Sequence, residues 1–191
     1  MSNIKVNESP NHFMVLDAIS RGMKTVDKIA KVTKLSKPEV EMIVNDLVTQ
    51  RLVIQAEKKG FFGGKKVEFS IGHTGMQVLN AKKVELEKEA QKIQQWYQNG
   101  NTAQLQTYMD ANRSWLPMML FSGIMNAMFF MTMMSFMGMA MSPMESGFAG
   151  SDTGDPGVAG DDGGAAGTDD GSGGDMGGGD FGGDIGGDFS F

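Results

Sequence analysis

Cysteine is absent from the chain of 191 residues, and histidine occurs only as His12 and His73. Without cysteine there are no disulfides and no thiolate ligands for a metal, which suits an intracellular protein. Neither histidine has a second ligand at the spacing of a metal site. The sequence therefore predicts no metal site and no other cofactor.

Catalytic motifs are also absent. The chain has no Gly-x-Ser-x-Gly motif and no phosphate-binding loop, because Gly60, Gly63 and Gly64 fit a hairpin turn rather than a strand-to-helix cradle. Carboxylates are frequent in a glycine-rich tail, whereas acid–base catalysis needs groups in fixed positions. The sequence predicts no catalytic residue and no enzyme activity.

Basic residues are missing after Arg113. Residues 1–98 contain 16 of the 17 Lys and Arg residues and have a net charge of +5, whereas residues 145–191 contain 11 acidic residues and no basic one. The head is thus mildly basic and the tail strongly acidic. The first 25 residues have no apolar signal-peptide core, since charged residues interrupt them. We therefore expect a head that stays in the cytoplasm and is not secreted.

The head predicts three helices followed by a β-hairpin. Apolar residues at helical spacing between 13 and 19 indicate the first helix, and Thr25 caps the second. The third begins after Ser36, with Pro38 in its first turn and Glu39 at the position of a capping box. Alternating apolar residues then predict two strands joined by a turn, in the stretches LVIQAEKK, GFFGG and KKVEFSI.

Three helices before a two-stranded wing is the order of a winged helix. The run TVDKIAKVTKLSKPEVEMIVNDLVTQRLV, followed by VEFSIGHTGMQVL, resembles the winged helix-turn-helix regulators of archaea and bacteria, of the MarR and ArsR types. The resemblance covers about residues 10–83. Residues 71–75 are a loose version of the Leu-Thr-x-x-Gly pattern that starts the helix after the wing. The resemblance implies DNA binding through the third helix and the wing, and a role in transcription regulation.

The candidate DNA contacts lie on the third helix and the wing. Asn45 and Gln50 could read adenine edges, although Glu41 and Asp46 flank them with negative charge. The wing residues that could hold a phosphate backbone are Lys58, Lys59, Lys65 and Lys66. The tip between them carries a pair of aromatics, Phe61 and Phe62, of the kind that marks a protein or membrane contact or folds back onto the head. The sequence of the head therefore predicts that its partner is either DNA or a protein.

A helical stalk follows the wing. Apolar and charged residues alternate at helical spacing from residue 74 to about 98, and Asn99-Gly100-Asn101 ends this helix before a shorter one at 102–112. In regulators of this fold the helix after the wing often forms the dimer, so the stalk could pair two copies of the chain. The apolar residues that fall roughly on one side of the first of these helices are Met76, Leu79, Val84, Leu86, Ile93 and Trp96.

The longest uncharged run covers residues 115–142 and contains ten methionines. A helix of about 20 residues spans a bilayer, so length and lack of charge favour a transmembrane helix over residues 114–142, which we call the apolar segment. Basic residues before it and acidic residues after it predict a cytoplasmic head with the tail across the membrane. The contact residues expected along it are Trp115, Met118, Met125, Met128, Phe129, Met133, Phe136 and Met137.

The methionines favour a second interpretation. Methionine has a flexible, polarizable side chain that suits a groove accepting varied apolar partners. A Met-rich helix pair broken at Ser122-Gly123 resembles, in composition, the client-binding segments of signal-sequence and tail-anchor carriers. A Met-rich oligomer core is a third interpretation.

Glycine and aspartate dominate the tail, residues 143–191, and this composition predicts disorder. Short repeats near its end carry apolar residues on an anionic chain. Phe181, Phe189 and Phe191 could dock on a protein partner, or the tail could shield the basic wing.

The sequence as a whole predicts a mainly α-helical protein with a small β-hairpin. Its predicted parts are a winged-helix domain (1–83), a helical stalk (84–113), a Met-rich apolar helix (114–142) and a disordered acidic tail (143–191). The leading interpretation is a non-enzymatic, membrane-tethered winged-helix protein that recruits DNA or a protein partner. The alternative is a soluble interaction factor whose Met-rich segment binds apolar clients or forms an oligomer core.

Overall fold

Helices dominate the computed structural model, which describes residues 9–59 and 65–150. Over these residues the chain forms eight α-helices and one β-hairpin. The head consists of α1 (Pro10–Ser20), α2 (Val26–Thr33), α3 (Lys37–Thr49), β1 (Val53–Lys59) and β2 (Lys65–Ile71). It is followed by α4 (His73–Gln98), α5 (Thr102–Asn112), a 3-10 turn (Arg113–Trp115), α6 (Leu116–Phe121), α7 (Ala127–Met137) and α8 (Pro143–Ala149).

The head is a winged helix, as its sequence predicts. The helices α1, α2 and α3 pack pairwise on one another, and β1 pairs antiparallel with β2 along the full length of both strands. The wing is tied to the start of α2, because the backbone N–H of Phe69 donates to the carbonyl of Lys24 at 2.9 Å. Buried side chains that form the core of the head are Met14, Val15, Leu16, Ile29, Val40, Ile43, Leu47 and Leu52.

Local signals explain most boundaries in the head. The chain leaves α1 through Gly22, whose φ of +89° lies in the left-handed region, and Thr25 caps α2 through its side-chain oxygen. The capping box predicted for α3 is wrong. Ser36 makes no side-chain cap bond, and the carboxylate of Glu39 instead accepts a hydrogen bond from Nδ2 of Asn11 at 2.8 Å. Glu39 therefore bonds to a residue of α1 and not to the backbone at the start of its own helix.

The stalk helix α4 has the predicted extent but buries a narrower stripe. Leu79, Leu86 and Ile93 are buried, whereas Met76 and Val84, which the sequence pattern places on the same side, are 37% and 50% exposed. Three residues seven apart lie on one line along a helix, and this line faces the rest of the protein. Met76 and Val84 therefore lie to the side of this line and remain exposed.

The orientation of α4 also brings a lysine to a buried carboxylate. Asp17 of α1 is completely buried, and the Nζ of Lys83 lies 2.6 Å from its Oδ1. Arg21 places Nη2 2.7 Å from the other oxygen, Oδ2. A buried carboxylate is tolerated only where opposite charge compensates its loss of hydration. Lys83 thus joins α4 to α1.

The prediction of a single apolar helix over residues 114–142 is wrong. The segment breaks between α6 and α7 at Gly123 (φ +74°) and again after α7 at Gly138 (φ +66°). Between these breaks α7 begins at Asn126, whose side-chain oxygen accepts hydrogen bonds from the backbone N–H groups two and three residues later. The first break lies at Ser122-Gly123, which is where the helix-pair interpretation places the division between its two helices.

The start of the apolar segment packs against the head. The ring centroids of Trp115 and Phe13 are 5.8 Å apart, and the Nζ of Lys82 lies 4.2 Å from the centroid of the Trp115 ring. The guanidinium of Arg21 lies 5.0 Å from the centroid of the Phe121 ring, which is a cation–π distance. Since α6 also contacts α1 and α8, protein rather than lipid surrounds this part of the segment.

None of the helices within 9–59 and 65–150 is long and apolar enough to cross a membrane. The helix α7, the longest in the apolar segment, has 11 residues, against the roughly 20 that a membrane span needs. The predicted membrane tether, and the orientation inferred from the flanking charges, therefore find no support.

An ion pair joins Arg113, just before the apolar segment, to the buried Glu145 just after it. Nε and Nη2 of Arg113 donate to Oε1 and Oε2 of Glu145 at 3.1 and 3.0 Å, and Glu145 is 1% exposed. Glu145 also forms a capping box with Ser142 at the start of α8. Burial alone would raise the pKa of Glu145, but the hydrogen bonds from Arg113 and Ser142 outweigh it and hold that pKa below its ordinary value.

We expect acid to remove the contribution of this ion pair to stability. Because the pKa of Glu145 is lower in the folded than in the unfolded chain, the contribution is complete above the unfolded pKa of about 4.3. It is lost as the pH falls through the folded pKa. Urea unfolding at several pH values below about 5 should show this loss, and Glu145→Gln should flatten the pH dependence. An equally steep dependence in Glu145→Gln would contradict the assignment.

Candidate nucleic-acid interface

The helices α2 and α3 and the turn between them form a helix-turn-helix. Lys34 ends α2 in the left-handed conformation, with φ of 61°, and α3 starts after Ser36 with Pro38 in its first turn. Leu35 is buried inside the turn. Because this side chain anchors the turn to the core, the angle between the two helices is fixed and the outer face of α3 is presented to solvent.

The outer face of α3 is nearly neutral and partly apolar. Its inward residues belong to the core of the head, while Met42 is 65% exposed and lies one helical turn before Asn45. The exposed side chains of α3 are those of Lys37, Pro38, Glu41, Met42, Asn45 and Thr49. Asn45 thus has the exposure that a base-reading residue needs.

Two of the three acidic residues of α3 are held against α1. Oδ2 of Asp46 lies 3.0 Å from Nε2 of His12. Glu39 accepts its hydrogen bond from Asn11, so it is also turned toward α1. Glu41 stays exposed. Two of the three carboxylates of α3 are therefore directed toward α1, and Glu41 is the one on the outer face.

Lys37 connects the two helices. Its ammonium forms an ion pair with the Oδ1 of Asp27 on α2. The hydrogen bond that Lys37 donates to Asp27, together with the negative charge of Asp27, raises the pKa of Lys37. Both groups are well exposed to water, so the pair adds little to stability. Its effect is to neutralise the charge of Asp27 beside the turn.

Four further lysines surround α2. Lys24, Lys28, Lys31 and Lys34 are exposed, and none makes an ion pair with a residue in the described part of the chain. They follow one another at spacings of four, three and three residues, which places those on the helix along one side. They are missing from the residues predicted above, although this spacing is readable in the sequence. They form the basic part of this candidate interface.

The wing brings its four lysines together. The strand register pairs Lys58 with Lys66 and Lys59 with Lys65, at the end of the ladder farthest from α4. This pairing of the backbone positions agrees with the predicted cluster at the wing tip. Their side chains lie outside the part of the chain that the structure describes.

The remaining predicted contact residues fall into separate groups. Gln50 is half-buried where α3 ends, with its Oε1 buried, so it does not share the exposure of Asn45. Residues that lie outside the described ranges are Phe61, Phe62, Phe181, Phe189 and Phe191. In the apolar segment Met118, Met125 and Met133 are buried, Trp115, Phe129 and Met137 are half-buried, and Met128 and Phe136 are exposed.

Comparison with known proteins gives one match, which lies in the head. Residues 9–60 match the model of the MarR family, a winged helix-turn-helix family. No curated protein and no solved structure matches the chain. The match extends from the start of α1 to the end of β1, so it includes both helices of the helix-turn-helix and stops before β2 and the stalk.

Proposed function

With the MarR-type winged helix as the premise, we propose that the head binds duplex DNA and that the protein regulates transcription. Proteins of the MarR family are regulators rather than enzymes. The observation that carries the proposal is the juxtaposition of unpaired lysines around α2 with an α3 face from which two carboxylates are turned away. In this arrangement α3 enters the major groove.

The lysines supply the affinity. Each lysine that neutralises a phosphate releases a condensed counterion, which makes binding favourable and salt-dependent. Lys24, Lys28, Lys31 and Lys34 lie around the first helix of the motif, which crosses the backbone in this class of protein. The wing lysines at the end of the β1–β2 ladder would contact the backbone at a second place.

The exposed side chains of α3 would read the bases. The amide of Asn45 can bond N6 and N7 of adenine, and the apolar side chain of Met42 can contact the methyl group of thymine. Both side chains are exposed and lie one turn apart. The proposed target therefore contains adjacent A·T pairs, and Gln50 has a smaller part because it is half-buried.

Substitution of Lys31 tests the phosphate contacts. We expect Lys31→Gln to weaken DNA binding at every sequence and to reduce the slope of log K against log salt by about 0.9, the value for one phosphate. Fluorescence anisotropy with a labelled duplex at several salt concentrations would measure both. The matched control is Lys88→Gln, the same change at an exposed lysine on the stalk, which should leave the slope unchanged. Equal slopes in Lys31→Gln and wild type, or no salt-dependent binding by wild type, would refute the proposal.

The stalk is proposed as a place where two copies pair. Regulators of the MarR family often dimerise, and the stalk helix α4 exposes Val84 and Met76 on its outer side. Two heads on one dimer would bind two half-sites of a palindromic site. This proposal assumes that the chain is divided as the sequence predicts. Its parts are a head (1–83), a stalk (84–113), an apolar segment and a tail.

A further inference from the structure

The outward side of α7 is an apolar surface distinct from the proposed DNA interface. Met128 is 73% exposed, Phe136 53% and Met131 37%. Their spacing of three and five residues, with Thr132 and Ser135 between them, keeps them on the solvent side of the helix. The opposite side is completely covered, because Phe130, Met133 and Met134 are buried. We call the exposed side the α7 face.

The α7 face is held in a fixed position. Asn126 caps the start of the helix and Gly138 ends it in the left-handed conformation. From the stalk, the ring of Tyr97 packs edge-on against both Phe129 and Phe136, with centroid distances of 5.4 Å in each case. Since both ends and one edge are fixed, the exposed methionines do not turn inward by a rotation of the helix.

A cleft of about 280 Å³ lies between the stalk helix α4 and the start of α7. Met125 and Phe129 line its apolar side, and Glu87, Gln91 and Gln94 line the side formed by α4. Glu87 is exposed and makes no ion pair with any residue in the described ranges. The cleft therefore combines an apolar wall with one uncompensated carboxylate.

We propose that the α7 face and this cleft bind an apolar helix of a partner protein that carries a lysine or arginine beside its apolar side. A helix laid along α7 covers Met128, Met131 and Phe136, as in other helix-in-groove complexes. Its basic residue pairs with Glu87. Methionine side chains adapt to different apolar surfaces, so the site accepts helices of varied sequence.

Charge argues for such a partner rather than for a second copy of the α7 face. Residues 114–144 contain no charged residue, so a second α7 offers no cation to Glu87. The nearest basic residue before this stretch, Arg113, is already bound to Glu145. A helix with basic and apolar residues side by side satisfies both parts of the site.

The test uses the full chain and a labelled helical peptide of about 16 residues, with a pair of lysines before an apolar Leu/Ala face. We expect saturable binding by fluorescence anisotropy and a loss of about tenfold or more in Met128→Asp/Phe136→Asp, because two anchors are removed. The matched control is Ile54→Asp, which places the same charge on an exposed apolar residue of β1 and should bind the peptide normally.

Glu87→Gln tests the charge without altering the apolar surface. It should weaken binding of the lysine peptide several-fold and leave binding of a peptide with glutamines in place of lysines unchanged. The proposal is overturned if wild type binds neither peptide, if it binds both equally, or if Met128→Asp/Phe136→Asp binds like wild type. It is also overturned if sedimentation shows wild-type dimers that these substitutions convert to monomers, since a second copy would then cover the face.

Discussion

Replacement of Phe130 by alanine is expected to lower the free energy of unfolding by about 3–5 kcal/mol. Phe130 is in the middle of α7 and is completely buried, so the substitution removes a ring from a packed interior and leaves a cavity. The loss should appear as a lower urea midpoint, followed by the fluorescence of the two tryptophans, Trp96 and Trp115. Trp115 immediately precedes α6, and Trp96 is the neighbour in sequence of Tyr97, whose ring contacts α7.

The matched control is Phe136→Ala, the same change two turns later on the same helix. Phe136 is 53% exposed, and its principal loss is the edge-on contact with Tyr97, so we expect a decrease of about 1 kcal/mol. A large difference between the two variants would show that α7 contributes its inner side to the core. Equal, small losses would mean that α7 does not pack against the rest of the protein.

Replacement of Gly75 by alanine is expected to destabilise the head by about 3 kcal/mol, at the upper end of the cost of overpacking. A Cβ on Gly75 would lie 2.1 Å from the carbonyl oxygen of Leu52 and 3.0 Å from its carbonyl carbon. Both atoms belong to the backbone, so no side-chain rotation relieves the overlap. Leu52 immediately precedes β1, and the wing would have to move away from the start of α4. Thermal unfolding followed by circular dichroism would measure the loss.

Gly147→Ala is the control for this change. Gly147 lies inside α8, and apart from the neighbouring backbone of its own helix nothing lies within 4 Å of the position of an added Cβ. Alanine is favoured over glycine in helices by roughly 1 kcal/mol, so this variant should be as stable as wild type or more stable. If Gly75→Ala behaved in the same way, the close approach of α4 to Leu52 would be refuted.

The head could be predicted because its signals are local. Thr25 caps the helix that follows it, and Gly22 takes the conformation that only glycine adopts without strain. The strands alternate in the way that a two-stranded wing requires. Gly75 belongs to the pattern on which the resemblance to winged-helix regulators rests, and the contact with Leu52 supplies its physical reason.

The apolar segment could not be predicted in the same way. The segment has the length and the hydrophobicity of a membrane span, and one glycine does not by itself end a helix in such a sequence. What divides it are left-handed conformations at Gly123 and Gly138, together with packing against α1 and α8. That packing depends on residues about a hundred positions away, such as Phe13 beside Trp115. Composition carries no information about such contacts.

At the candidate DNA interface, too, contacts between residues distant in sequence could not be predicted. Asn45 and the wing lysines follow from helical and strand periodicity, and the lysines around α2 were accessible to the same reasoning. The partners of two acidic residues of α3 were not. Asp46 is 34 residues from His12, and Glu39 is 28 residues from Asn11. An estimate of surface charge from α3 alone therefore overstates its repulsion of phosphate.

The ion pair between Arg113 and Glu145 determines the order in which the chain can complete its fold during synthesis. Arg113 leaves the ribosome before the Met-rich residues, and Glu145 after them. At roughly 5–20 residues per second, α6 and α7 are exposed for a few seconds before α8 can cover α6. During that interval the uncharged segment is the most aggregation-prone part of the nascent chain. The acidic residues after Glu145 emerge next, and their negative charge keeps the nascent chain soluble while the apolar segment is being covered.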